Sequence, residues 1–140
     1  MIAPLEKKIL LNAAVSRVWK ALTDPDELGK WMLMQTDFEA VVGKNFTFKT
    51  EPNENWDGVI SCTVKEIEEN KKLVFTWNAA IINAETVVSI ELKNVGGKTE
   101  LTLTHSGWDD LPANKEESKK SHSEGWELRI MHKIKELVEE

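Results

Sequence analysis

The period of the hydrophobic pattern changes twice along this chain, and that change constrains the fold more than any other feature. Apolar residues follow a helical spacing over residues 15 to 23, then alternate with a period of two between residues 37 and 108. After Pro112 the helical period returns. The order predicts a first strand at residues 7 to 12, short helices, a run of antiparallel strands and a last helix.

The central region predicts about six half-buried strands, which makes about seven with the first one. Short connections at residues 68 to 72 and 94 to 98 are typical of hairpin loops, and Gly96 and Gly97 allow positive φ in the second loop. The inward positions are Phe46, Phe48, Ile60, Cys62, Val64, Leu73, Phe75, Trp77, Val88, Ile90, Leu92, Leu101, Leu103 and His105.

Two helices are predicted before the sheet. The first, at residues 15 to 23, carries Val15, Val18, Trp19 and Leu22 on one face. The second, at about 25 to 32, has Asp24 as its N-cap, Pro25 at its first position and Glu27 placed to reach back to the cap, with Leu28 and Trp31 pointing inward.

The last helix is predicted over residues 115 to 138, a length of about 36 Å. Two starts are possible, at Asn114 with Glu117 or at Ser121 with Glu124. The buried stripe is Trp126, Ile130, Ile134 and Leu137 or Val138, and the side chains expected in water are Glu127, Arg129, Lys133, Lys135 and Glu136.

These elements predict an α+β fold in one domain over residues 1 to 140. The last helix is the only element long enough to cover the dry face of a seven-stranded sheet, so the sheet is expected to curve around it. The two short helices after the first strand would close one end. A wedge between sheet and helix is then the expected place for a hydrophobic cavity.

The chain resembles the bacterial single-domain relatives of the activator of the heat-shock-protein-ninety ATPase. The resemblance rests on VWKALTDPDELGKWM at 18 to 32, FTW at 75 to 77, HSGW at 105 to 108 and GW at 125 and 126. It implies the helix-grip fold shared with the birch-pollen allergen, START-like lipid-transfer domains and polyketide cyclases, and a hydrophobic cavity between sheet and helix. The eukaryotic co-chaperone resembles this chain only in its C-terminal half, so ATPase activation is not implied.

Charge and cysteine content exclude several classes of partner. A formal charge of -6 and a pI near 5.2 oppose binding to nucleic acid or to anionic lipid. The first fourteen residues, interrupted by Glu6, Lys7 and Lys8, match neither a signal peptide nor a membrane span. Cys62 is the single cysteine, which suits a reducing compartment. We expect a cytoplasmic protein with no membrane insertion and no cofactor.

Two similar strings, HSGW at 105 to 108 and HSEGW at 122 to 126, raise three interpretations: a split catalytic site, a metal site, or two walls of one pocket. No ligand set converges for a metal, and neither serine lies in a nucleophile motif. We favour the third, with Gly107 and Gly125 positioning Trp108 and Trp126, while coincidence stays open. A solvated position is expected for His122, and no role is assigned to His132.

Binding of a small lipophilic molecule, lipid-like or aromatic, is the function that we favour. The alternatives are a co-chaperone or stress-related protein-interaction module, and a cyclase-like or hydratase-like enzyme with His105 as acid or base. We favour a structural, hydrogen-bonded His105 over that role and assign no catalytic residue. Trp56, beside a turn, is a candidate cover for the cavity mouth. The residues expected to line the cavity are Trp31, Phe46, Phe48, Cys62, Phe75, Trp77, His105, Trp126 and Ile130.

Overall fold

The computed structural model describes residues 2–54, 56–80 and 82–139. A short 3₁₀ turn, Trp108–Asp110, connects the last strand to the C-terminal helix, which has three segments: α3 (Lys115–Leu128), a π-helical segment (Arg129–Lys133) and α4 (Ile134–Val138). The remaining elements are β1 (Leu5–Leu11), α1 (Val15–Thr23), α2 (Pro25–Met32), β2 (Gln35–Thr36), β3 (Asn45–Lys49), β4 (Val59–Glu68), β5 (Lys72–Ala79), β6 (Thr86–Val95) and β7 (Lys98–Ser106).

The seven strands form one antiparallel sheet in the order β1-β7-β6-β5-β4-β3-β2. A register shift between Val64 and Glu66 in β4 adds to the natural twist of the sheet. The curved sheet holds the C-terminal helix on its dry face, and the two short helices follow the first strand. The predicted α+β helix-grip fold is therefore confirmed, with β1 at Leu5–Leu11 in place of residues 7 to 12.

Strand β7 carries His105, the buried polar residue around which the interior is arranged. Its buried positions alternate through Thr99, Leu101, Leu103 and His105. In the ladder, His105 lies opposite Leu5 of β1 and Val88 of β6, so its imidazole has apolar neighbours on both sides. The inward orientation expected from the period of two is confirmed.

The boundary between α1 and α2 follows from local chemistry. The carboxylate of Asp24 accepts a hydrogen bond from the backbone N–H of Glu27 at 3.1 Å, and Pro25 occupies the first turn. The prediction that Glu27 reaches back to the cap is wrong. Its carboxylate instead contacts Arg17 at 2.6 Å and Lys20 at 3.4 Å, because both cations come from α1 and face it.

The C-terminal helix buries Trp126, Ile130, Ile134 and Val138, which are spaced by four residues. An α-helix has 3.6 residues per turn, so such a row drifts around the helix. The π-helical segment has i→i+5 hydrogen bonds and more residues per turn, which offsets the drift and keeps the row against the sheet.

Two details of this helix differ from the sequence-based expectations. It begins at Lys115, the earlier of the two predicted starts, but Asn114 has a φ of 54° and its side chain caps nothing. Arg129 does not face water as predicted. It is half-buried, its Nε donates to the carbonyl of Met32 at 3.0 Å, and its guanidinium carbon lies 5.4 Å from the ring centroid of Trp126.

Replacing Asp24 by Ala should lower the free energy of unfolding by about 0.5 to 2 kcal/mol, because the first turn of α2 loses its side-chain cap. Urea unfolding followed by circular dichroism measures the loss. The control is Asp26→Ala, which removes an exposed carboxylate from the same turn and should cost about 0.3 kcal/mol. Equal losses in the two variants would contradict the capping role.

Candidate functional site

The two similar strings meet in the interior and form one ring cluster. Strand β7 and the 3₁₀ turn supply His105 and Trp108, the C-terminal helix supplies His122 and Trp126, and β5 supplies Trp77. The centroids of neighbouring rings lie between 4.4 and 6.1 Å apart. We call these five side chains the His–Trp cluster. The two strings therefore meet in one cluster, while their interpretation as two walls of one pocket stays a prediction.

A chain of hydrogen bonds crosses the cluster and fixes the tautomer of His105. The indole Nε1–H of Trp126 donates to His105 Nδ1 at 3.0 Å, and an indole nitrogen can only donate. The proton of the neutral His105 is therefore on Nε2, which donates to Thr86 Oγ1 at 2.7 Å. The Thr86 hydroxyl in turn donates to the carbonyl of Trp77 at 2.7 Å.

His122 is held in the opposite tautomer. Trp77 Nε1–H donates to His122 Nε2 at 3.3 Å, so His122 Nδ1 carries the proton and donates to the carbonyl of Ser118 at 2.7 Å. The prediction of a solvated His122 is wrong, because the helix rotates this position toward β5. A third indole, that of Trp108, donates to the His105 carbonyl at 2.9 Å.

Both histidines are neutral at physiological pH. Burial, and secondarily the neighbouring His122, lower the pKa of His105 from 6.5 to about 2. Burial also lowers the pKa of His122, an effect opposed by its bond to the Ser118 carbonyl and reinforced by the nearby Arg129 cation. Each imidazole therefore keeps one donor and one acceptor nitrogen, as its partners require.

Two glycines make room for this arrangement. Gly107 has a φ of 101°, and a Cβ there would lie 3.2 Å from the Cα of Thr86. A Cβ on Gly125 would lie 3.2 Å from an Nη atom of Arg129. The positioning role expected for both glycines is consistent with these distances, and at Gly125 the neighbour is the guanidinium.

A cavity of about 720 Å³ opens beside the His–Trp cluster. We call it the end cavity. It lies between the loop before β4, the ends of β4 and β5, and the C-terminal helix. Its lining residues are Asn53, Glu54, Trp56, Ile60, Trp77, Ala79, Ser121, His122, Gly125 and Arg129.

A second cavity, also of about 720 Å³, lies between α2 and the end of β3. No aromatic side chain lines it, and four of its twelve lining residues are charged: Asp26, Lys30, Lys49 and Glu51. Because apolar and aromatic walls bind small molecules best, the end cavity is the better candidate site.

Of the nine residues expected to line a cavity, only Trp77 lies in the wall of the end cavity. All nine are buried, and Phe46, Phe48 and Phe75 pack on one another with centroids 5.5 to 6.2 Å apart. Trp31 donates to the Ala21 carbonyl at 2.8 Å. His105 and Trp126 lie behind the wall, and the lining role of Trp31, Phe46, Phe48, Cys62, Phe75, His105, Trp126 and Ile130 stays a prediction.

The sequence-based reasoning missed two polar residues of the end cavity, His122 and Arg129, while Trp56 was named as a cover and lines it. Residues 122, 125, 126 and 129 are spaced at i, i+3, i+4 and i+7 along the helix. This spacing places His122 and Arg129 on the same helix face as Trp126, and it could have been recognised from the sequence. The described residues contain no group of three or more side chains suited to a metal ion. Cys62 is a buried free thiol whose pKa is raised by burial.

The seven-stranded sheet curved around one long helix places the protein in the helix-grip class. Comparison with known proteins identifies the family. The family model described as activator of Hsp90 ATPase homolog 1-like protein matches residues 12–139. The chain belongs to this family, as the resemblance predicted. Comparison with the curated proteins found no match. Within the described residues, no helix has the length and apolarity needed to span a membrane.

Solved structures agree with this fold over almost the whole chain. Protein MLL2253 from Mesorhizobium loti is 27% identical, with a TM-score of 0.84 and 96% of each chain covered. Protein BH1534 from Bacillus halodurans is 25% identical, with a TM-score of 0.80 and coverage of 99% of this chain and 98% of that one. The Aha1 dimer from Colwellia psychrerythraea, at 21% identity and a TM-score of 0.81, covers 99% and 97% and is similar in fold.

Replacing His105 by Leu should lower the free energy of unfolding by about 1.5 to 4.5 kcal/mol. The substitution leaves the Trp126 indole N–H without an acceptor in a dry interior, at about 1 to 3 kcal/mol, and removes the hydrogen bond that Thr86 Oγ1 accepts, at about 0.5 to 1.5 kcal/mol. Urea unfolding measures the effect. His132→Leu, which replaces an exposed histidine of the same protein, should change stability by less than about 0.5 kcal/mol. Similar values for both variants would contradict the network.

Stability should fall as the pH falls below the pKa of an ordinary histidine. The unfolded chain binds a proton at residue 105 below about pH 6.5, whereas the folded chain does not until about pH 2. The His105 contribution is a loss of about 1.4 kcal/mol between about pH 7.5 and about pH 5.5. His122, whose pKa is also lowered, acts in the same direction.

Urea unfolding at the two pH values tests this prediction. The His105→Leu variant should lose less stability over that interval than the wild type, because one of the two titrating groups is gone. An identical fall in both proteins would show that His105 is protonated in the folded state.

Proposed function

We propose that this protein binds a small lipophilic molecule, aromatic or lipid-like, in the end cavity. The observation that carries the proposal is the cavity itself, about 720 Å³ with Trp56, Ile60, Trp77 and Ala79 in its lining. Ligand pockets commonly measure about 300 to 1,000 Å³ and combine apolar walls with a few polar groups. Here the polar groups on the helix side are Ser121, His122 and Arg129.

The walls are built to stay in place without a ligand. Trp77 is 2% exposed and is fixed by its bond to His122, and Trp56 donates to the Val59 carbonyl at 3.3 Å. A preformed site loses little entropy on binding, so most of the apolar contact contributes to affinity. This rigidity supports a binding role.

Proton-transfer catalysis has less support. Both ring nitrogens of His105 are engaged inside the protein, and so are both of His122. A general acid or base needs a nitrogen that can reach the substrate, and a pKa near the working pH. The pKa of His105 is far below that range. The co-chaperone alternative rests on the family description alone, and the cytoplasmic location stays a prediction.

Plugging the cavity should abolish binding. A Ser121→Phe variant places a ring at the cavity wall, while His132→Phe adds the same ring at an exposed position of the same helix outside the cavity. A panel of naphthalene, indole and alkyl compounds is titrated into each protein and followed by intrinsic tryptophan fluorescence, to which Trp56 and Trp77 of the cavity wall contribute. At about 100 times its Kd, a ligand should stabilise the wild type by about 2.7 kcal/mol.

We expect at least one compound to give a saturable signal with the wild type and the His132→Phe variant, and none with Ser121→Phe. The absence of any saturable change across the panel would contradict the proposal. Unchanged binding in Ser121→Phe would place the ligand elsewhere.

A further inference from the structure

Arg129 is the only cationic side chain among the residues described as lining the end cavity, and it has no acidic partner. The described residues form seven ion pairs, and none includes Arg129. Its Nε donates to the Met32 carbonyl, but its two terminal nitrogens make no hydrogen bond with the described residues. Four N–H donors therefore remain available on the cavity side.

A half-buried cation without a counterion is costly, because burial removes part of its hydration. The cost is visible in the pKa of Arg129, which burial lowers to about 10. An anion placed against the guanidinium would recover the lost interaction, and the partly dry surroundings would strengthen it.

The surroundings hold the guanidinium in a fixed orientation. Met32 anchors its Nε, and the Trp126 ring lies under it with 5.4 Å between the guanidinium carbon and the ring centroid. Gly125 lets the guanidinium lie close to the helix backbone, since a Cβ there would come within 3.2 Å of one terminal nitrogen. A planar guanidinium held in this way matches the two oxygens of a carboxylate.

We propose that the ligand of the end cavity is an apolar carboxylic acid whose carboxylate pairs with Arg129 while its apolar part packs on Trp56, Ile60 and Trp77. The inference rests on the proposed function and narrows it to one ligand class. A single negative charge fits better than a phosphate dianion, because Glu54 also lines the cavity and the chain carries a formal charge of -6.

Matched probes test the inference. Naphthalene-2-acetate and naphthalene-2-acetamide have nearly the same shape but differ in charge, and isothermal titration calorimetry near neutral pH compares them. We expect the acid to bind to the wild-type protein at least about ten-fold more tightly than the amide does. The Arg129→Gln substitution should weaken binding of the acid about ten-fold and should change the affinity for the amide less than about two-fold. Lys120→Gln removes an exposed charge from the same helix and should change neither.

Each outcome decides between the two proposals. Equal binding of acid and amide to wild type, or an acid preference that persists in Arg129→Gln, would overturn the role of Arg129 and leave the lipophilic site standing. Binding of neither probe, with no response from the wider panel, would overturn both proposals. If the Arg129→Gln variant does not fold, the role of Arg129 is decided by the acid and amide affinities of the wild type and of the Arg129→Lys variant. Lys keeps the charge but lacks the paired donors, so it should retain only part of the preference.

Discussion

The hydrogen bond from the Trp126 indole to His105 Nδ1 joins the C-terminal helix to β7, the second strand of the sheet, and the rest of the interior depends on it. Because Nδ1 accepts this bond, Nε2 of His105 carries the proton and donates to Thr86 Oγ1. The Thr86 hydroxyl then donates to the backbone carbonyl of Trp77. No buried side-chain nitrogen or oxygen of the described residues lacks a partner. A polar network inside an apolar core specifies one packing of helix on sheet, because any slip leaves several groups unsatisfied at once.

This fixed packing also explains why a cavity exists at one end. Trp77, Trp108 and Trp126 fill the space next to His105, so the interior behind them is closed. The end cavity lies next to Trp77, with Trp56 from the loop before β4 also in its wall. The π-helical segment begins at Arg129, one turn after Trp126, and keeps Ile130 and Ile134 on the sheet while Arg129 reaches the cavity. The His–Trp cluster and the end cavity thus share Trp77 and His122.

The sequence predicted the architecture well because its signals are periodic. Alternation in β7 placed His105 inward, and the Asp24-Pro25 start of α2 was correct. The site was harder to predict. Arg129 and His122 were assigned to water because charged or polar residues on a helix usually face solvent, and only the tertiary packing brings them against Trp126 and Trp77. The four-residue spacing from Trp126 to Val138 was present in the sequence and points to a turn wider than α-helical.

The most direct test of the account is the tautomer of each histidine, measured by long-range proton–nitrogen NMR correlation on the ¹⁵N-labelled protein. The hydrogen bonds predict that neutral His105 carries its proton on Nε2 and neutral His122 on Nδ1. The His105 pattern should persist as the pH is lowered to about 6, where an ordinary histidine becomes charged. Exchange between tautomers at His105, or its protonation near pH 6.5, would contradict a network that ties the helix to the sheet.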